Sequence, residues 1–208
     1  MIRLGALFPQ HLNLNGDLGN LEVLARQLQW RGLSCEILPI ETVQSLSGNL
    51  DLVFVGHGST AAWAAIREPF RAMAPVLKSL LTAGTPGLSV STGFEQLVDN
   101  QVFSNLAIAQ SSERSSKFVV HEDGANKVLG YLNTDSTLPA LHRELNWVGT
   151  MLHGPILAKN TELLQELLTS ITAHAGLELH PMQASEKAGK LADLVDEIWK
   201  LESELASE

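Results

Sequence analysis

The chain has 208 residues, and its 23 acidic side chains outnumber its 14 basic ones to give a formal net charge of −9. Hydrophobic residues make up 45% of the chain, while charged residues make up 18%, below the roughly 25% of an average soluble protein. This composition supplies a buried core and excludes disorder over most of the chain. Because the acidic balance repels phosphates and no basic run alternates with aromatic residues, a nucleic-acid partner is also excluded.

The single cysteine, Cys35, excludes an intramolecular disulfide and a cysteine-rich metal site, and it fits a reducing compartment. The first apolar run, residues 1–8, is too short for a signal peptide or a membrane span. We therefore expect a cytoplasmic protein with no membrane span. Because the chain carries no Walker sequence, zinc-ligand spacing or H-E-x-x-H motif, we expect neither a metal nor a cofactor.

Short β-rich runs alternate with helical patterns along the first half of the chain. The predicted strands are residues 2–8, 34–40, 50–55 and 87–90, and each is short and mostly apolar, as buried central strands are. This alternation is typical of parallel βαβ units. The sequence therefore predicts an α/β fold with a mostly parallel sheet and helices on both faces.

Helical spacing of apolar residues predicts the first two helices. Residues 21–28 form one apolar face, with Asn20 placed to cap the helix and Gly32 placed to end it. A second helix is predicted for about residues 61–83. We expect Pro75 to divide it, because an interior proline removes a hydrogen-bond donor and clashes with the preceding turn.

The second half of the chain is less regular. A further helical face covers residues 163–171, and residues 187–205 form a strongly amphipathic helix. We expect one domain over residues 1–184, with residues 185–208 either packing on that domain or docking a partner. The serine-rich stretch 111–116 is predicted to be a loop.

The most informative segment, residues 87–97, runs from a strand through a small residue and a glycine into a helix. Such a turn builds a nucleophile elbow, in which the apical side chain is exposed and the helix N-terminus stabilises negative charge beside it. Ser91 occupies the apex. It is therefore either a nucleophile, or the remnant of one, or simply a helix cap.

A histidine stands out for its context. In residues 148–155, His153 ends an apolar run and is followed by Gly-Pro, so a sharp turn leaves the imidazole at the rim of the sheet. General bases occupy such positions.

A glycine-containing loop follows the third predicted strand, at residues 56–61. It matches G-x-G-x-x-A, yet a dinucleotide site is rejected because the loop does not follow the first strand and no acidic residue closes the next one. The N–H groups around Gly56 and Gly58 could instead stabilise an oxyanion beside the elbow.

These segments together resemble the GatD glutaminases, class I glutamine amidotransferases related to cobyric acid synthase. Residues 12–20 follow the L-N-L-Y-x-D-x-G-N motif of that family, in which Asp17, a cap or turn residue by itself, matches an acidic position. Residues 86–95 match P-G-L-x-x-C-G-G-Y-Q, and residues 149–160 match G-T-Y-L-H-G-P-x-L-P-K-N closely. The resemblance covers roughly residues 2–98 and 146–172.

The resemblance implies a reaction and a set of roles. In this family a thiolate attacks the side-chain amide of glutamine, and the ammonia passes to a Mur-ligase-like partner, MurT, for peptidoglycan precursors. Carried over by position, the nucleophile falls on Ser91, the histidine on His153, the orienting acid on Asp17 and a substrate-binding arginine on Arg114.

The chain departs from the family pattern at the positions that carry out the reaction. Ser91 replaces the cysteine, Thr92 replaces the following glycine, and residues 56–63 replace G-G-G-x-D-R-E-Q. Serine offers no thiolate, because its hydroxyl must lose a proton as it attacks. We therefore expect an amidotransferase subunit with lost or impaired glutaminase activity. The alternatives are a serine hydrolase using Ser91 and His153, or a non-catalytic binding or scaffold module.

Overall fold

A computed structural model describes residues 1–124, 126–182 and 186–207, and within them nine strands form two sheets. The strands are β1 (Ile2–Leu7), β2 (Cys35–Ile40), β3 (Leu52–Val55), β4 (Gly87–Val90), β5 (Gln110–Asp123), β6 (Asn126–Ser136), β7 (Leu141–Glu144), β8 (Trp147–Thr150) and β9 (Leu152–His153). The helices are α1 (Gly19–Trp30), α2 (Val43–Leu46), α3 (Thr60–Thr82), α4 (Thr92–Asp99), α5 (Thr161–His174) and α6 (Glu186–Leu205), with a 3-10 helix at Ile156–Ala158.

The main sheet has the order β2-β1-β3-β4-β8-β7. All pairs from β2 to β8 are parallel, and only β7 runs antiparallel at one edge. The second sheet, β5-β6-β9, is antiparallel. The predicted α/β fold with a mostly parallel sheet is confirmed, and its four predicted strands correspond to β1 to β4.

Two apolar clusters cover the two faces of the main sheet. One contains the buried face of α3 together with α4, and the other contains α1 and α5. Every residue of β3 and β4 is buried as a result. This burial on both sides explains why the central strands read as continuous apolar runs rather than alternating ones.

Pro75 does not divide the second helix, contrary to the prediction. Helix α3 continues through both Pro69 and Pro75. Both prolines lie on its exposed side, where water can reach the carbonyl groups that lose a partner. The opposite face, which includes Trp63 and Phe70, is buried along the helix and holds it together.

Asn20 is not the cap of α1, contrary to the prediction. Helix α1 begins at Gly19 behind Leu18, and Asn20 is fully buried. Its Oδ1 accepts a hydrogen bond from Leu157 N–H at 3.0 Å, and its Nδ2 donates to Asp17 O at 3.0 Å. The predicted stop is confirmed, because Gly32 follows α1 with φ +77°.

The predicted loop at residues 111–116 is wrong, because these residues belong to β5. Strand β5 pairs with β6 as a long hairpin, with an irregularity between Gln110 and Ser115. The serines are mostly exposed, so no apolar alternation marked the strand.

Helix α6 packs against the hairpin and the segment after β9. Val195 is buried, the Trp199 indole N–H donates to the carbonyl oxygen of Lys159, and the Lys159 ammonium pairs with Glu202. The boundary expected between residues 184 and 185 lies outside the described residues. Over the described chain, no helix is both long and apolar enough to cross a membrane.

Candidate active site

The candidate site lies where the carboxyl ends of β1, β3, β4 and β8 meet. Strand order reverses on either side of β1, since β2 lies on one side and β3 on the other. In doubly wound sheets, ligands bind at such a switch point beyond the carboxyl ends of the strands. The loops that follow β1, β3 and β4 supply Asp17, His57 and Ser91, whereas His153 ends β9 and the β5–β6 hairpin supplies Arg114 and Asn133.

Ser91 forms the sharp turn between β4 and α4. Its backbone has φ 50° and ψ −118°, a conformation that costs a non-glycine residue free energy. The Ser91 N–H donates to Thr150 O at 2.6 Å and ties the turn to β8. Its side chain makes no capping hydrogen bond, so the cap interpretation fails, and Oγ instead lies 3.3 Å from Nε2 of His153.

His153 ends β9 and is held on both sides of its ring. Its Nδ1 lies 2.7 Å from Nδ2 of Asn15, and its Nε2 lies 3.2 Å from the carbonyl oxygen of Asn133. The ring packs edge-on against His57, with centroids 4.9 Å apart. Burial lowers the pKa of His153, although the hydrogen bond with the Asn133 carbonyl opposes this effect. Burial, together with the charges of His153 and Arg114, lowers the pKa of His57 to about 4. Both imidazoles are therefore neutral at pH 7.

The glycine loop after β3 packs against the elbow and against the loop after β1 at distances that only glycines allow. A Cβ at Gly56 would lie 2.2 Å from the carbonyl oxygen of Leu12, and a Cβ at Gly93 would lie 2.6 Å from that of Gly56. The backbones of these segments are therefore in direct contact, with no side chain between them.

Two N–H groups of this loop have partners within the chain. The Gly58 N–H donates to Thr92 Oγ1 at 3.0 Å, and the His57 N–H donates to Asp17 Oδ2 at 2.9 Å. Thr92 Oγ1 also accepts from the Trp63 indole at 2.8 Å and lies 2.9 Å from His57 Nδ1. The expected oxyanion donor at Gly58 is thus bound to Thr92, and the neighbouring His57 amide is bound to Asp17.

Asp17 is fully buried beside His153 without a hydrogen bond to its ring. Its Oδ1 has no hydrogen-bond partner among the described residues, and burial raises its pKa against the opposing effects of the His57 N–H and His153. The resemblance placed the orienting acid here. In the structure Asn15, not Asp17, contacts Nδ1 of the imidazole.

Arg114 reaches the site from β5. Its Nε donates to Asn133 Oδ1 at 2.9 Å, and the Asn133 carbonyl is the group that contacts His153. The charge of Arg114 also contributes to the lowered pKa of His153. The hairpin thereby brings the expected substrate-binding arginine close to His153.

Three site residues escaped the sequence analysis: Asn15, Trp63 and Asn133. Asn15 carried one signal, since it stands where the family motif has tyrosine. Cys35 cannot serve as a nucleophile here, because it opens β2 at the amino end of the sheet. No three His, Cys, Asp or Glu side chains of residues 1–124, 126–182 and 186–207 converge on a possible metal position.

No family model matches the chain, although a known protein is similar to it in sequence. The chain is 23% identical over 212 residues to the GatD subunit of lipid II isoglutaminyl synthase (glutamine-hydrolyzing) from Staphylococcus aureus, covering 85% of this chain and 87% of that protein.

Solved structures share the fold at low sequence identity. A glutamine amidotransferase from Thermotoga maritima has a TM-score of 0.52 at 14% identity and covers 93% of each chain. The acivicin-bound glutaminase domain of CTPS from Trypanosoma brucei has a TM-score of 0.55 at 12% identity, covering 90% of this chain and 99% of that one. The chain therefore has the glutamine amidotransferase fold and is similar in sequence to GatD.

Proposed function

We propose that this chain is a GatD-like amidotransferase subunit that has lost its own glutaminase activity. The observation that carries the proposal is the combination at the elbow of a serine hydroxyl with loop amides already bound to Thr92 and Asp17. The fold and the similarity to GatD support the subunit role. The altered elbow supports the loss of hydrolysis.

The first obstacle to hydrolysis is the nucleophile. A cysteine is a few per cent thiolate at neutral pH, whereas serine needs a base in close hydrogen bond as it attacks. Ser91 Oγ lies 3.3 Å from His153 Nε2, and the same nitrogen lies 3.2 Å from the carbonyl oxygen of Asn133, which can only accept a hydrogen. This second contact competes for Nε2 and disfavours the serine hydrolase alternative.

The second obstacle is the stabilisation of negative charge. Removing one oxyanion donor costs roughly 100- to 1,000-fold in rate. Here the Gly58 N–H would have to leave Thr92 before it could bind an oxyanion. A tetrahedral intermediate on Ser91 would therefore find the His57 and Gly58 N–H groups of this loop already hydrogen-bonded.

The similarity to GatD supports the proposed ligase partner. We propose a Mur-ligase-like, MurT-like protein as the partner, in the cytoplasm, with glutamine as the ligand of the remnant site. We propose that Arg114, which contacts Asn133 beside His153, pairs with the carboxylate of such an amino acid. The ligase would then use ammonia from another source, or the subunit would serve as a scaffold.

Ammonia release from glutamine tests the loss of activity. We expect the purified chain, alone and with the ligase, to release no more ammonia than Ser91→Ala does. Glutamine turnover that disappears in Ser91→Ala would refute the loss. Labelling of wild-type Ser91, but not of Ser91→Ala, by a fluorophosphonate would favour the hydrolase.

Co-expression tests the subunit role separately. We expect a stable 1:1 complex with a Mur-ligase-like protein, of standard interface size near ~1,600 Å² of buried area. Size-exclusion chromatography of the mixture reports it. Elution of two separate monomers at micromolar concentration would contradict the subunit role while leaving the test of hydrolysis unaffected.

A further inference from the structure

The hydrogen bonds around His153 determine which ring nitrogen carries the proton. Nε2 lies 3.2 Å from the carbonyl oxygen of Asn133, and a carbonyl can only accept. Nε2 must therefore carry a hydrogen to make this bond. At the other nitrogen, Nδ1 lies 2.7 Å from the amide nitrogen of Asn15, which can only donate.

The two contacts agree with one another. A neutral imidazole has one donor and one acceptor nitrogen, so a donor at Nε2 requires an acceptor at Nδ1. Asn15 supplies the hydrogen that such an acceptor needs. A charged imidazolium would instead present two donors and leave Nδ1–H facing the Asn15 amide hydrogens, and burial already disfavours that charge.

We propose that Asn15 is a positioning residue that, with the Asn133 carbonyl, holds His153 as the Nε2–H tautomer. In this tautomer the nitrogen nearest Ser91 carries a proton and cannot accept another one. A base at this position must take the proton from residue 91 on Nε2, which requires the hydrogen to sit on Nδ1. In this tautomer His153 therefore cannot act as a base toward Ser91.

This inference deepens the proposed loss of glutaminase activity and rests on it for its functional meaning. It adds a specific consequence, namely that a cysteine at residue 91 is not sufficient to rebuild the nucleophile. An acceptor must also replace the donor at Asn15. Asn15→Asp changes few heavy atoms and places a carboxylate where it accepts a hydrogen from Nδ1.

The tautomer is measured directly by ¹⁵N NMR of the histidine ring at pH 7.5. We expect His153 to carry its proton on Nε2 in the wild-type chain and on Nδ1 in Asn15→Asp. A wild-type ring protonated on Nδ1 would overturn the proposal without any variant. An unchanged Nε2–H form in a folded Asn15→Asp chain would also overturn it.

Asn13→Asp is the matched control. It adds the same charge two residues away in the same loop, where Asn13 Oδ1 accepts from the Leu18 N–H at 2.9 Å and does not contact the imidazole. We expect its His153 ring to remain Nε2–H. A shift to Nδ1–H in Asn13→Asp would show that loop charge, not contact with Asn15, sets the tautomer.

Thiol chemistry provides a second readout. In a Cys35→Ala background, we compare the alkylation of Ser91→Cys by iodoacetamide with and without Asn15→Asp. With the acceptor in place, the thiol proton can pass to Nε2, and we expect alkylation at pH 7 to rise by ~10-fold, with its pH midpoint about one unit lower. Equal rates and equal midpoints would contradict the proposal.

The outcome of these measurements does not depend on whether the proposed loss of glutaminase activity is correct. If wild-type protein hydrolyses glutamine while His153 remains Nε2–H, the proposed loss of activity is wrong but the tautomer assignment stands. If no glutamine turnover is found and His153 is Nδ1–H, the role of Asn15 is wrong and the loss of activity stands.

Discussion

The Thr92 hydroxyl accepts the hydrogen bond of the Gly58 N–H at 3.0 Å, and this contact joins the start of α4 to the glycine loop. The same oxygen accepts from the Trp63 indole at 2.8 Å, which adds the first turn of α3. The Thr92 side chain therefore joins the glycine loop to the first turns of α3 and α4, and it occupies an amide at the position expected for an oxyanion donor. The GatD motif that residues 86–95 resemble has glycine at this position, and glycine has no side chain to make such a contact.

Removing the hydroxyl should free the amide and loosen the site. We expect Thr92→Gly to lower the free energy of unfolding by about 1–3 kcal/mol, because the partly buried Gly58 and Trp63 N–H groups lose their acceptor. Urea unfolding measures this. Thr92→Ser, which keeps the oxygen, should lose less than about 1 kcal/mol, and equal stability of the two variants would contradict this role.

The backbone of Ser91 stores strain that glycine would relieve. Its φ of 50° is unfavourable for any residue with a Cβ. We expect Ser91→Gly to have a free energy of unfolding about 1 kcal/mol higher than Ser91→Ala, since both lose the hydroxyl and only alanine keeps the Cβ. Thermal unfolding compares the two. A more stable alanine variant would show that the elbow carries no strain.

The stability should fall as the site histidines are protonated. The pKa of His57 is lowered by burial to about 4, below its ordinary 6.5, and the pKa of His153 is also lowered. The unfolded chain therefore binds more protons than the folded chain between about pH 6.5 and 4, so stability is lost as the pH falls through this window.

Unfolding curves across this pH range test the linkage. We expect His57→Gln to reduce the slope of stability against pH between about 6.5 and 4. His180→Gln, at an exposed position, is the matched control. A slope that His57→Gln leaves unchanged would show that His57 does not contribute.

Lys159 should control the attachment of α6. Its ammonium pairs with Glu202 and lies 5.7 Å above the ring of Phe118, so it joins α6 to β5. We expect Lys159→Met to weaken the attachment by about 1 kcal/mol and to speed amide hydrogen exchange in α6 about fivefold, with little change in the main sheet.

Lys200→Met is the control for this measurement, because Lys200 is exposed on the same helix. It should leave exchange in α6 nearly unchanged. Equal acceleration by both variants would mean that the lost charge, and not the contact with Glu202, destabilises the helix.

Local patterns in the sequence determined the scaffold. The apolar runs of β1 to β4, the spacing of α1 and the glycine at residue 32 report hydrogen-bond periodicity and backbone preferences, which act over a few residues. The strand-to-helix turn at Ser91 could be predicted for the same reason. The serine-rich strand β5 could not be predicted, because its stability comes from pairing with β6 rather than from an apolar face.

The chemical state of the site was decided by contacts between residues distant in sequence. Asn15 and His153 are 138 residues apart, Asp17 and His57 are 40 apart, and Gly58 and Thr92 are 34 apart. No local sequence pattern predicts these pairs, since an asparagine or a threonine in a loop has many possible partners. The sequence by itself determined that a serine stands at an elbow near a histidine. Only the tertiary structure decided which amides are occupied and which imidazole nitrogen carries the proton, because a hydrogen bond depends on the positions of both its atoms.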